Sequence, residues 1–260
     1  MTTAPMAAEI KETITNVKTH PNSPGASEIN SHLDTQIPSN HDAPDGKYPY
    51  QVSIQYKNQH VCSGTIIDKR HILTSSFCFL DNSILLVGTN SLSTGGQKLE
   101  VEKFIYHESV YHGIGLIRTK KDIQFNEKIQ PIAIPNEDYR EPGYPVIFLS
   151  WNGPSLLNKL PLELLEHPSG LHDKLQEIKK KLYDQDECKS LYEYLGEQDI
   201  CTIGESGEND CSIDLGSPTI ADGIQIGIRT VAECGVDVVT RNIRVFYYRD
   251  WILNNTNLEI

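Results

Sequence analysis

Six cysteines, at positions 62, 78, 188, 201, 211 and 234, are the side chains with the plainest chemistry in this sequence. None stands in a Cys-x-x-Cys or Cys-x-x-His arrangement, so their spacing does not suit zinc. An even, dispersed set suits disulfides, and disulfides need an oxidising compartment. Six cysteines allow fifteen pairings, so counting leaves the connectivity open. Six buried thiols in a cytosolic protein are the alternative. His71, His107, His167 and His172 share no close spacing with carboxylates that would suggest a metal site, which makes them exposed or hydrogen-bonded structural histidines. No metal and no cofactor is expected. Asn254-Asn255-Thr256 is an acceptor sequence for N-glycosylation at Asn254.

The elements that must carry these residues are short. The chain has 260 residues, with 23 Lys and Arg against 35 Asp and Glu, a formal net charge of −12 and 38% hydrophobic residues. That is enough apolar material for a core, which excludes wholesale disorder. The acidic balance disfavours a nucleic-acid partner, because binding one draws on a basic surplus to release counterions from phosphates. Apolar runs such as Ile84-Leu85-Leu86-Val87 fall far short of the roughly 20 residues that span a bilayer, so no membrane partner is expected. Residues 1–10 lack the cationic start and apolar stretch of a signal peptide, so a secreted protein would have lost its leader from this sequence.

Residues 1–36 are polar and read as an extension or pro-segment that cannot repay its ordering entropy. From Tyr50 onward, short runs rich in Val, Ile, Leu and Tyr recur between turn residues: 50–56, 64–67, 84–88, 98–106, 115–118, 146–150 and 224–229. In the first of these, Tyr50, Val52, Ile54 and Tyr56 alternate as in a half-buried strand. Many short strands without long helices between them predict an all-β barrel or sandwich. Two segments have helical spacing instead: Leu171, Leu175, Ile178 and Leu182, and the stretch from Arg244 to Ile252.

Three blocks in order carry a family likeness. Ile72-Leu73-Thr74-Ser75-Ser76-Phe77-Cys78 resembles the Leu-Thr-Ala-Ala-His-Cys block of trypsin/chymotrypsin-like serine proteases. His112-Gly113-Ile114-Gly115-Leu116-Ile117 resembles their Asn-Asp-Ile-Ala-Leu-Ile, and Cys211-Ser212-Ile213-Asp214-Leu215-Gly216-Ser217-Pro218 their Cys-Gln-Gly-Asp-Ser-Gly-Gly-Pro. Pro49-Tyr50-Gln51-Val52-Ser53, Ser150-Trp151 and Asp250-Trp251-Ile252 sit between and around them. Asn90-Ser91-Leu92 followed by Gly95-Gly96 looks like the group 3 mite allergens of that family. The resemblance implies a catalytically inactive trypsin-like domain over 37–260, built as two packed six-stranded antiparallel β-barrels with a cleft between them and a C-terminal α-helix. It implies disulfides Cys62–Cys78, Cys188–Cys201 and Cys211–Cys234, and hence a secreted, extracellular protein. It also implies a strand over 175–183 leading to a helix over 184–195, against the helical periodicity noted above.

Peptide hydrolysis on this fold uses a serine nucleophile, an imidazole base and a carboxylate that orients the imidazole. By the resemblance, those positions hold Leu215, Phe77 and Gly113, and the glycine whose amide helps stabilise the oxyanion is Ile213. No acyl-transfer machinery is left. Ser212, Ser217 and His112 lie nearby in sequence and read as ordinary surface polar groups. At the specificity pocket, the floor aspartate aligns with Asn209, or with Asp210 after a one-residue slip, and the wall is Thr230-Val231-Ala232; side chains there imply a pocket narrowed or filled by its own residues. Family zymogens are cut after Lys or Arg, whereas this junction reads Gln36-Ile37-Pro38. Asp214, the partner of the freed terminus in the family, is present. Either the chain stays uncut with Asp214 satisfied by other donors, or a different protease cuts it.

The sequence is similar to the scabies mite inactivated protease paralogues, which are described as binding host plasma proteins and inhibiting complement. That implies host plasma or complement proteins as partners, with the apolar stretch Leu156–Leu165 and the Lys179–Lys181 patch as candidate surfaces. A decoy that occupies protease inhibitors or substrates through the remnant cleft, and a weak residual serine hydrolase, are the alternatives.

Overall fold

The computed structural model describes residues 40–109, 113–151, 171–204, 209–210, 214–231 and 235–258. The polar extension, the apolar stretch 156–165, His112, Ile213 and the pair Cys211 and Cys234 lie outside those residues. In chain order, the first half carries β1 (Asn40–Asp42), β2 (Gln51–Tyr56), β3 (Gln59–Ile66), β4 (His71–Ser75), β5 (Ile84–Val87), β6 (Gln97–Tyr106) and β7 (Ile114–Thr119). The second half carries β8 (Pro145–Ser150), β9 (Gln176–Leu182), α1 (Gln185–Leu191), β10 (Asp199–Ile203), β11 (Asn209–Asp210), β12 (Pro218–Ala221), β13 (Ile224–Arg229), β14 (Gly235–Val236), β15 (Val239–Arg244) and α2 (Arg249–Asn255).

Strands β2-β3-β4-β7-β6-β5 close one antiparallel barrel. The order β9-β10-β15-β13-β12-β8 closes a second through the β8–β9 pairing, with β1 added outside β9. Both barrels have the six strands that the resemblance implies, and the short C-terminal helix is α2. The β2–β3 hairpin turns on Lys57 and Asn58, both at positive φ, which gives the turn the twist of the strands it joins. Val52, Ile54, Cys62, Ile66, Ile72, Leu85, Val87 and Ile117 fill the first barrel. A larger apolar cluster joins the two barrels and α2, drawing Leu73 and Leu116 from the first, Ile228 and Ile243 from the second, and Trp151, Tyr248 and Ile252 between them.

Disulfides Cys62–Cys78 and Cys188–Cys201 are formed. The first closes a loop 16 residues apart in sequence and pins the turn after β4 to β3, a constraint of about 3 kcal/mol on the unfolded chain. The second ties α1 to β10.

The helical spacing of Leu171 to Leu182 is overturned, since residues 176–182 are strand β9. Ile178 and Leu182 satisfy a period of two as well as a helical one, and β9 pairs with β1, β8 and β10. The supposed lysine patch lies on the same strand. Lys179 and Lys181 are exposed, but Lys180 between them is buried, so it is not a surface run of three cations.

The tail after α2 is fastened to the first barrel by a buried carboxylate. Asp68 accepts from the amides of Arg70 (2.6 Å) and His71 (2.8 Å), lies 2.8 Å from His71 Nδ1 and accepts from the Asn257 amide at 3.0 Å. His71 is thus a hydrogen-bonded structural histidine, as its sequence context suggests, with a carboxylate partner three residues away. Burial works against the charged form of Asp68, but the bonds from His71, Arg70 and Asn257 outweigh it and hold the carboxyl below its ordinary range. A carboxyl depressed on folding contributes stability that is present above its unfolded pKa and lost as pH falls through its folded one. Asp68→Asn therefore flattens the acid limb: as pH falls through and below the ordinary aspartate range, the wild type loses more unfolding free energy than the variant, as urea titrations at fixed pH will read.

Candidate functional site

β4 ends at Ser75, and a single 3₁₀ turn over Ser76–Cys78 follows, capped by Ser75 Oγ accepting from the Phe77 amide at 3.3 Å. The turn is held against the start of β7 by the Ser76 amide, which donates to the Gly113 carbonyl at 2.7 Å. This brings Phe77 over Gly113. A Cβ built on Gly113 would lie 2.9 Å from Phe77 Cε2 and 3.4 Å from Thr230 Cγ2, and the backbone there has φ +70°. Glycine takes that conformation at no steric cost, and it leaves the ring its place. Phe77 is 48% exposed and offers no hydrogen-bonding group.

Leu215 points elsewhere. It is 1% exposed and packs with the first barrel's interior beside Val52, Ile54 and Cys62. Its carbonyl accepts from the Ser63 amide at 2.8 Å, while the next amide, Gly216, donates to the Arg229 carbonyl at 2.8 Å. The turn 214–217 is thus stitched to β3 of one barrel and β13 of the other. Gly216, at φ +78°, has no room for a Cβ, which would lie 2.1 Å from the Ser63 carbonyl oxygen. Ser217 is fully buried, so it is not the surface group its sequence suggests.

Asp214 is sealed in beside this turn. Its Oδ2 accepts from Ser63 Oγ (2.8 Å), the Trp151 amide (3.0 Å) and Ser150 Oγ (3.5 Å). Its Oδ1 lies 3.2 Å from His60 Nε2, off the direction of a hydrogen bond, and both side chains are fully buried. His60 is held from behind by Ser53 Oγ at 2.9 Å from Nδ1, and its ring packs 5.3 Å from that of Trp151. His60, Ser53 and Ser63 were not singled out in the sequence. The available signal was a histidine and two serines on β2 and β3, at positions whose neighbours face an apolar barrel.

At the pocket positions, Thr230 is buried and Val231 follows it; Ala232 lies outside the described residues. Asn209 and Asp210 form β11, paired with β14. Arg229, which the sequence reading treated as a strand end, is fully buried next to the wall, with Nε donating to the Val231 carbonyl at 3.0 Å. A separate cleft of about 540 Å³, lined by residues that include Asp45, Thr89, Lys128 and Lys174, contains none of these positions. Among the described residues no group of three His, Cys, Asp or Glu is placed to hold a metal. On the rim of the first barrel, Phe79 stacks on Phe104 (4.6 Å) and meets Tyr106 edge-on (4.8 Å), with Tyr106 55% exposed.

Known proteins place this arrangement. The trypsin family model matches residues 37–252. Chymotrypsin-2 of Vespa crabro is 32% identical over 224 residues, which covers 82% of this chain and 97% of that protein. In fold, the chain is similar to neuropsin, a serine protease expressed in the limbic system of mouse brain, with a TM-score of 0.72 at 22% identity over 84% of this chain and 99% of that one.

Two substitutions probe the geometry. Gly113→Ala lowers unfolding free energy by about 1–2 kcal/mol from its backbone alone, plus a steric share that disappears in the Phe77→Ala background. A double-mutant cycle in urea separates the two shares. Leu215→Ser trades a packed side chain for a cavity and a buried hydroxyl, and costs about 2–5 kcal/mol by the same measurement.

Proposed function

The chain belongs to the trypsin family of serine proteases, and from that premise we propose that it no longer hydrolyses peptides and acts by binding other proteins. The observation that carries this reading is the set of side chains at the three family positions: Phe77 for the base, Gly113 for its orienting carboxylate and Leu215 for the nucleophile. None can give or take a proton. Loss of a single triad member slows such enzymes by roughly 10⁴–10⁶, and here all three are replaced. The geometry adds support. Leu215 is committed to the first barrel's core, and the Phe77 ring occupies the space beside Gly113 that a carboxylate would need. Ile213 at the oxyanion position is part of the same reading.

The activation remnant fits an uncut chain. Gln36 gives a trypsin-like activator no cation, and Asp214 already has donors from Ser63, Ser150 and the Trp151 amide, with His60 alongside. On this proposal residues 1–36 stay attached and Ile37 never becomes a terminus. The two disulfides support a secreted protein.

A fold kept without its chemistry is left with its surface. Phe77 and the Phe79–Phe104–Tyr106 group give that surface an exposed aromatic component, the composition that interfaces favour. The likeness to inactivated mite paralogues supports host plasma or complement proteins as the partners. The test is complement-mediated erythrocyte lysis in serum with purified, disulfide-intact protein, alongside a panel of peptide and ester substrates. Dose-dependent protection with no turnover, unchanged by an active-site serine reagent, is expected. Turnover that the reagent abolishes sinks the inactive reading, whereas unprotected erythrocytes sink the complement assignment alone.

A further inference from the structure

The cleft of about 540 Å³ that stands apart from the triad and pocket positions lies between the segment 42–45 and the loop 88–96, with Lys128 and Lys174 completing its lining. Its two walls are sewn together. Asn90 is buried, and its Nδ2 donates to the carbonyls of Ala43 and Pro44, both at 2.9 Å. Gly88, Gly95 and Gly96 have φ of +76°, +73° and +75°, so the loop can turn back on itself three times. A Cβ on Gly96 would lie 2.7 Å from both Leu86 Cδ1 and Thr89 Cγ2. The lining is correspondingly main chain, hydroxyls and charge, with Ala43 its one apolar side chain among the described residues. The acids in it already have donors: Asp45 Oδ2 accepts from Lys128 Nζ and Asp42 Oδ1 from Gln176 Nε2, each at 2.8 Å. Lys174 differs. It is exposed, and among the described residues its ammonium has neither a hydrogen bond nor an ion pair. The bond from Lys128 holds the Asp45 carboxyl below its ordinary range, and Lys174 adds to that effect through space, which puts its charge at the cleft.

We propose that this cleft binds a hydroxylated carboxylate of sugar-acid size, with Lys174 meeting the carboxylate and the main-chain and hydroxyl lining meeting the ligand's hydroxyls. The one charge left without a partner is positive, so an anion gains a charge-assisted bond there. A cation would meet two ammonium groups and two carboxylates that are already bonded. An apolar ligand would find only Ala43, and a bare anion would leave the rest of the polar lining unused. A free sugar acid and an acidic residue of a glycan present the same chemistry. None of the degenerate triad or pocket positions lines the cleft, so the site does not depend on whether the chain hydrolyses peptides or on what it does to complement.

Ligand-observed saturation-transfer NMR on the full chain tests this, with glucuronate, glucose and acetate titrated at one fixed ionic strength because the charge is exposed to screening. Glucuronate is expected to bind saturably with a Kd of roughly 1 mM, and glucose and acetate at least about tenfold more weakly, since each carries only half of the recognised chemistry. Lys174→Ala trims an exposed side chain and is expected to weaken glucuronate about tenfold while leaving glucose unmoved; Lys174→Arg is expected to keep most of the binding. Methyl glucuronide separates the two sources: binding equal to that of the free acid supports a glycan residue, and weaker binding supports a free sugar acid. Acetate binding as tightly as glucuronate, glucuronate binding that survives Lys174→Ala, or no saturable signal would overturn the proposal.

Discussion

A carboxyl group with no access to solvent must be met by protein donors, and Asp214 finds them only where the two barrels come together. Ser63 comes from the first barrel, while Trp151 and Ser150 come from the end of β8 in the second. The backbone of the same turn repeats the pattern, with Leu215 bonded to Ser63 and Gly216 to Arg229. This one turn is therefore bonded to both barrels, at β3 through Ser63 and at the end of β13 through Arg229. The apolar cluster that joins the two barrels packs around this polar stitch, so the turn is fixed both by its own bonds and by its surroundings.

Much of the fold was legible in advance. Alternation marked β2, runs of branched residues marked β5, β8 and β13, and three motif blocks fixed the family likeness. Legibility failed where two periods coincide. Ile178 and Leu182 suit a helix and a strand equally, and strand pairing on both sides of β9 decided between them. It failed again where partners are far apart in sequence. Ser63 and Asp214 are separated by 151 residues, and no local pattern points from one to the other. Lys180 misled for another reason: charge in a sequence reads as surface, and this lysine is buried in the second barrel. His71 reads from sequence as an exposed or hydrogen-bonded structural histidine, and it is the second; its partner Asp68 is supplied by the structure.

The residues at 77, 113 and 215 fit one another and their surroundings. The bulk added at Phe77 matches the bulk missing at Gly113, and Leu215 adds to a barrel core that has room for it. At the pocket, Arg229 takes up interior space beside Thr230 and Val231. Leu215 and Arg229 fill interior space, whereas Phe77 stays half exposed over a residue with no side chain, so the packing at these positions is close in the first two cases and open in the third.

The contact between Phe77 and Gly113 also makes the two positions answer to each other. A side chain added at 113 would bring its Cβ to 2.9 Å from the ring edge and 3.4 Å from Thr230, so it is accommodated only if the half-exposed ring swings outward. Trimming the ring removes that obstacle but uncovers the turn that Ser76 holds against Gly113. A change at either residue is thus felt first as a packing change at the other, and substitutions at the pair are better read together than one at a time.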